Sequence, residues 1–171
     1  MMRIGILSDT HSFIHPRIFD FFKDCDEIWH AGDIGDFQSA ETLRKFKPLR
    51  AVYGNIDGGD VRRVFPKDLA FTVEKVKVVM THIGGYPGNY DKHAIELILK
   101  EKPNLFVTGH SHILKVMYDK RCNLLYINPG AAGKYGFHNS ITMARFVIEG
   151  DQMKDMEVLD IERYINEIKA E

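Results

Sequence analysis

The chain has 171 residues, 44% of them hydrophobic, enough for the full core of one domain spanning 1–171 with little room for a second. Its 23 Lys and Arg against 24 Asp and Glu leave a net charge of -1, so there is no long-range positive field to gather nucleic acid, and a nucleic-acid partner is not expected. Cys25 and Cys122 have neither zinc-site spacing nor the density of a secreted disulfide scaffold, and no apolar stretch approaches the roughly 20 residues that cross a bilayer, so a cytoplasmic protein without a membrane partner is expected.

The apolar run before Asp9 is too short for a signal peptide and reads as a first strand over Arg3 to Leu7. An amphipathic segment from Ile14 to Phe22 follows, with Phe19, Phe21 and Phe22 at core-packing spacing. Then come a short strand at Glu27 to Trp29, a helix at Phe37 to Phe46 and a strand at Leu49 to Tyr53. This alternation predicts an α/β domain with a parallel sheet. Ala70 to Val73 and Val76 to Thr81 read as a hairpin turning at Glu74-Lys75, and Tyr90 to Lys100 as a helix with Ala94, Ile95, Leu97, Ile98 and Leu99 on its apolar side. Leu105 to Thr108, Leu114 to Tyr118, Leu124 to Ile127 and Ile141 to Ile148 are further strands, expected to form a second, largely antiparallel sheet packed on the first. A turn at Glu149-Gly150-Asp151 and a terminal helix at Ile161 to Ala170 complete the expectation.

Polar residues fall where these strands end. Asp9 and His11 follow the first strand, His30 and Asp33 the second, Asn55 the third, His82 the hairpin strand, and His110 and His112 the next. In open α/β sheets ligands bind at the carboxyl ends of strands, so groups scattered over about a hundred positions can converge on one edge. Asp9-Thr10-His11 sets a carboxylate and an imidazole two residues apart beyond a strand, and Gly109-His110-Ser111-His112 does the same with two imidazoles. Carboxylate oxygen with imidazole nitrogen and no thiolate suits Mn²⁺, Fe, Ni²⁺ or Zn²⁺ better than Ca²⁺ or a structural zinc site. Two such pairs suggest two ions, with Asp33 as the carboxylate to bridge them and Asn55 as a neutral amide oxygen.

Asp9-x-His11, Gly32-Asp33, Gly54-Asn55, the lone His82 and Gly109-His110-x-His112 resemble, in order and spacing, the motifs of the calcineurin-like metallophosphoesterases. Asn128-Pro129-Gly130 resembles a later signature of the smallest members, the small prokaryotic phosphodiesterases. The resemblance covers nearly the whole chain. It implies a four-layer sandwich, two mixed β-sheets flanked by helices. It also implies that Asp9, His11 and His112 hold one metal, that Asn55, His82 and His110 hold the other, and that Asp33 serves both. Asp33 and Asn55 are the residues it makes catalytic. No residue is assigned to the substrate, a small-molecule phosphate ester. Mn²⁺ is the expected ion, with Ni²⁺, Fe²⁺, Zn²⁺ or Mg²⁺ as alternatives.

Many members carry a histidine directly after the Gly-Asn pair, where this chain has Ile56. A proton donor is typically worth about 10²- to 10⁴-fold in rate, so the gap points to phosphodiesters with good leaving groups. The expected function is thus a dinuclear phosphodiesterase, and a homodimer is the expected assembly. Two alternatives stand beside it: a non-catalytic scaffold resembling the metallophosphoesterase-fold subunit of retromer, and a module that holds a phosphate without turning it over.

Outside the matched positions, His30 reads as a group hydrogen bonded to a ligand, and His15, His93 and His138 as surface or supporting residues. Arg62 and Arg63 read as solvated surface rather than substrate contacts, and Asn128-Pro129-Gly130 as the shaper of a loop under the site. The loops at 56–63 and 84–91 are the expected rim.

Overall fold

Ile4 and Ile6, two apart, lie on one face of the first strand, and Leu7 on the other, so that strand is buried on both sides. In the computed structural model, which describes residues 1–135 and 139–162, the elements run β1 (Met2–Leu7), α1 (Arg17–Phe21), β2 (Glu27–His30), α2 (Phe37–Phe46), β3 (Leu49–Ala51) and α3 (Gly59–Val64). There follow β4 (Asp68–Val73), β5 (Val76–Thr81), β6 (Gly85–Tyr86), β7 (Asn89–Tyr90), α4 (Lys92–Glu101), β8 (Leu105–Val107), β9 (Leu114–Asp119), β10 (Leu124–Pro129), β11 (Ser140–Glu149) and β12 (Gln152–Glu162).

Two five-stranded mixed sheets, ordered β12-β11-β1-β2-β3 and β4-β5-β8-β10-β9, pack face to face. Between them lies the largest core cluster. Ile4, Ile6, Trp29 and Phe146 of the first sheet meet Val78, Met80, Leu105, Val107 and Ile127 of the second. Trp29 stands edge-on to Phe71 and Phe146, its indole N–H donating to Glu27 Oε1 at 2.7 Å, the partner that a buried indole requires. Outside the first sheet, Ile18 and Phe22 of the α1 segment and Leu43 of α2 cover Leu7 and Ile28. Outside the second, Ala94 and Ile98 of α4 cover Val79 and Phe106. The result is the four-layer, two-sheet sandwich expected.

Three expectations are corrected. The second sheet is not largely antiparallel: β5-β8 and β8-β10 pair in parallel, β4-β5 and β10-β9 antiparallel. The Ile141 to Ile148 strand joins the first sheet instead, antiparallel to β1 with Ile4 opposite Phe146. Ile161, expected to open a helix, lies with Glu162 in β12; the rest of that expected helix is outside the described residues. β12 escapes a period-two reading because Asp155 takes φ 54° beside a register shift opposite Arg145 and Val147, so its half-buried residues (Met153, Met156, Leu159, Ile161) lose strict alternation.

Candidate metal centre

Parallel pairing within each sheet sends β1, β2 and β3 in one direction, and β5 and β8 likewise, so their carboxyl ends gather the loops that follow. Every predicted ligand sits on one of these loops. Asp9, His11 and His112 bring one donor atom each to within 4.8 Å of one another, and Asp33, His82 and His110 form a second such group. Asp33 Oδ2 is 3.2 Å from His82 Nε2 and 3.6 Å from His11 Nε2, between the two groups. Asp9 Oδ1 is 3.1 Å from His112 Nε2 and 3.8 Å from His82 Nε2. Asn55 is exposed, its Oδ1 3.0 Å from His110 Nδ1.

Several of these atoms are buried without a hydrogen bond: Asp9 Oδ1, His11 Nε2 and His82 Nε2. Buried polar atoms that converge and yet make no hydrogen bond are costly unless a cation sits among them. The donors therefore fit divalent ions, and their oxygen and nitrogen chemistry suits first-row metals.

Neighbouring groups hold the donors in place. The Ala31 carbonyl lies 2.7 Å from His82 Nδ1, which turns Nε2 toward the carboxylates. Ile56 N–H donates to Asp33 Oδ1 at 3.0 Å, leaving Oδ2 free, and His110 N–H donates to Asp9 Oδ2 at 3.1 Å. Burial pushes the His82 imidazolium down, but the carboxylates of Asp33 and Asp9 outweigh it and hold its pKa above the usual value. Burial would raise the Asp33 carboxyl, but its contact with His82 prevails and keeps it low. His110 is depressed, first by burial and then by the charge of His82. The backbone is strained here. Asp9, His11, Asp33, His110 and His112 all take φ between 47° and 68°, a left-handed conformation that non-glycine residues rarely adopt.

Two glycines of the motifs have steric reasons. A Cβ on Gly54 would lie 2.0 Å from Asp33 Oδ1, and one on Gly109 2.1 Å from Ser8 Oγ, so each loop approaches a neighbour as only glycine permits.

Asp57 was not read as part of the site, yet its buried carboxylate ties two ligand loops together. It accepts from the N–H of Ile34 (3.2 Å) and Gly35 (2.7 Å) beyond Asp33, and from Gly54 N–H (2.7 Å) before Asn55. The only sequence signal is Asp57-Gly58, which reads as a turn. Arg62 knots the same loop, donating to the Asp57 carbonyl at 2.6 Å while stacking 4.7 Å from the Tyr53 ring. Asn128 does shape the loop of His110 and His112, donating to the Gly109 carbonyl at 2.8 Å and to Ser111 Oγ at 3.0 Å.

His30 is fully buried and bonds to no ligand side chain. Its Nδ1 accepts from Gly32 N–H at 3.2 Å, so its proton is on Nε2, donated to Thr10 Oγ1 at 2.9 Å, and Thr10 donates in turn to the Ile34 carbonyl at 3.0 Å. Burial, against the pull of Asp57 and Asp9, depresses its pKa to about 4. In the unfolded chain it titrates near 6.5. Between those values only the unfolded chain binds the proton, so stability falls as pH drops through the window. The melting temperature of metal-free protein should therefore decline more steeply from pH 6.5 to 4 than that of His30→Gln; parallel slopes would rule this out. His15 is partly exposed, and His138 lies outside the described residues.

A profile of the calcineurin-like phosphoesterase superfamily domain matches residues 2–151. The chain belongs to the calcineurin-like phosphoesterase superfamily. Among curated relatives, this phosphoesterase-family chain is 29% identical over 137 residues to a probable metallophosphoesterase of Methanothermobacter thermautotrophicus, covering 76% of this chain and 77% of that one. It is 26% identical over 153 residues to a phosphodiesterase of Methanocaldococcus jannaschii, covering 78% and 86%. Among solved structures, Vps29 of Chaetomium thermophilum superposes with a TM-score of 0.73 at 13% identity, over 94% of this chain and 95% of that one, a likeness of fold alone. Among the described residues no helix is long and apolar enough to cross a membrane.

Proposed function

We propose that this member of the superfamily hydrolyses small-molecule phosphate diesters with two divalent ions, Mn²⁺ first among Mn²⁺, Ni²⁺, Fe²⁺, Zn²⁺ and Mg²⁺. The observation that supports this most is the two three-donor groups with Asp33 Oδ2 between them, several of their atoms buried without a hydrogen bond. Asp9, His11 and His112 would hold one ion, and Asn55, His82 and His110 the other, with Asp33 shared. When bound, two such ions lower the pKa of a shared water and neutralise the developing charge on the phosphoryl oxygens.

The protein's own residues do the rest. Exposed Asn55 stands at the mouth with an amide Nδ2 that can donate to a phosphoryl oxygen. Buried Asp57 holds the loops that carry Asp33 and Asn55 in place through the N–H groups of Ile34, Gly35 and Gly54. Ile56, 45% exposed, offers no proton.

The test is hydrolysis of a chromogenic phosphodiester and its matching monoester by chelator-stripped protein, before and after each metal is added separately. Metal-restored cleavage favouring the diester is expected. No cleavage with metal demonstrably bound would move the reading to the scaffold or the phosphate-holding module. One observation favours the scaffold: edge strand β9 exposes Val116, Met117 and Tyr118 in succession, 42 to 53% accessible.

A further inference from the structure

A cleft of about 380 Å³ opens beside Asn55 and His82, lined also by Tyr53, Arg62, Lys67, Thr81, Asp91 and His93. Two of these lining residues, Thr81 and His93, share one partner, Asp68. Its Oδ1 and Oδ2 lie 2.9 and 2.8 Å from His93 Nε2, and Thr81 Oγ1 donates to Oδ1 at 2.7 Å. A carboxylate accepts only, so the neutral His93 ring carries its proton on Nε2 and takes up or releases a second proton at Nδ1. Nδ1 has no hydrogen-bond partner among the described residues, and 35% of the side chain is exposed. The Asp91 side chain caps α4 by accepting from His93 N–H at 2.9 Å, which fixes the backbone under the ring.

We propose that His93 is the proton donor to the leaving group, with Asp68 as its positioning residue, and that the leaving arm of the substrate occupies this cleft. This rests on the diesterase reading. An alkoxide or phenoxide leaving oxygen needs a proton, and a donor must share the cavity into which that oxygen departs. Another cavity, about 230 Å³ beside His112, is lined by Ile113, Leu114, Ser140, Thr142 and Asp160 and, among the described residues, holds no imidazole other than the candidate ligand. The attacking oxygen comes from water, whose proton goes to solvent. As the new P–O bond forms, the P–O bond to the leaving group breaks and its electron pair goes to the leaving oxygen. That oxygen takes the proton from Nδ1, and solvent then reprotonates the ring.

The test uses Mn²⁺-loaded protein and a series of methyl aryl phosphates running from 4-nitrophenyl to unsubstituted phenyl leaving groups. His93→Gln keeps a donor to Asp68 and lacks the Nδ1 proton. Its loss in kcat should grow from under about fivefold for 4-nitrophenyl to about 10²-fold or more for phenyl. Asp68→Asn should show the same growing loss, which a merely structural defect would not, since that lowers every substrate alike. In metal-free protein, ¹⁵N spectra should show neutral His93 protonated on Nε2. A uniform loss across the series, a dependence on Lys67→Ala in place of His93→Gln, or a neutral ring protonated on Nδ1 would overturn the assignment while leaving the diesterase reading intact. Absence of any metal-restored hydrolysis by the parent protein would overturn both.

Discussion

Asp33→Asn should lower Mn²⁺-restored diester hydrolysis by more than 100-fold, beyond the roughly 10- to 100-fold cost of losing a group that only supports a ligand. The substitution is nearly isosteric, and its Oδ1 can still accept from Ile56 N–H, so the loop keeps its shape. What is lost is the negative charge that faces His11 and His82 from one oxygen. Two cations held close together repel, and a shared carboxylate offsets that repulsion for both at once. The cost should therefore exceed that of changing any other candidate ligand, and calorimetric titration should count one tightly bound ion for the variant and two for the parent. Activity within tenfold of the parent in metal-replete buffer would end the two-ion reading.

Asp57→Ala should destabilise the fold by roughly 3 to 9 kcal/mol, because removing one carboxylate leaves three N–H groups around the site, those of Ile34, Gly35 and Gly54, without an acceptor at about 1 to 3 kcal/mol each. Such a loss is a large share of the stability of an ordinary domain. Asp57→Asn retains one oxygen and should fall about midway. Urea denaturation of the metal-free proteins measures the effect without interference from ion binding. A cost below about 1 kcal/mol would mean that the two loops hold their positions without this clamp. The same substitution should weaken metal retention, since the segments carrying Asp33 and Asn55 would no longer be tied.

The convergence of these donors was legible in the sequence because they are short-range signals repeated: each candidate follows an apolar run, and the carboxyl ends of parallel strands meet by geometry. Phe37 to Phe46 and the Val73-Val76 hairpin corner were legible for a similar reason, their periodicities being unbroken. What escaped depends on long-range partners. Asp57 looks like any Asp before Gly until Ile34 and Gly35 fold onto it. His93 reads as surface because the partner that orients it, Asp68, lies 25 positions away on another element. The sheet membership of β11 could not be read either, since an apolar strand satisfies either sheet and only its register with β1 decides. A bulge at Asp155 hid β12. The short α3, Gly59–Val64, lay unrecognised inside an expected rim loop.

Five of the seven candidate ligands sit in left-handed backbone, each at about 1 kcal/mol or more relative to a relaxed residue, or some 5 kcal/mol together. Glycine at any of these positions would relieve the strain and delete a donor. At Asp9 and Asp33 that relief is set against the N–H groups of His110 and Ile56 that their carboxylates accept, but at His11 and His112 the fold would welcome the loss, and on the diesterase reading only a benefit from hydrolysis keeps them. A duplicated copy freed from that benefit would shed its donors while becoming sturdier. The route from an enzyme to an inert platform with the same sandwich runs downhill in folding free energy, and the return route uphill.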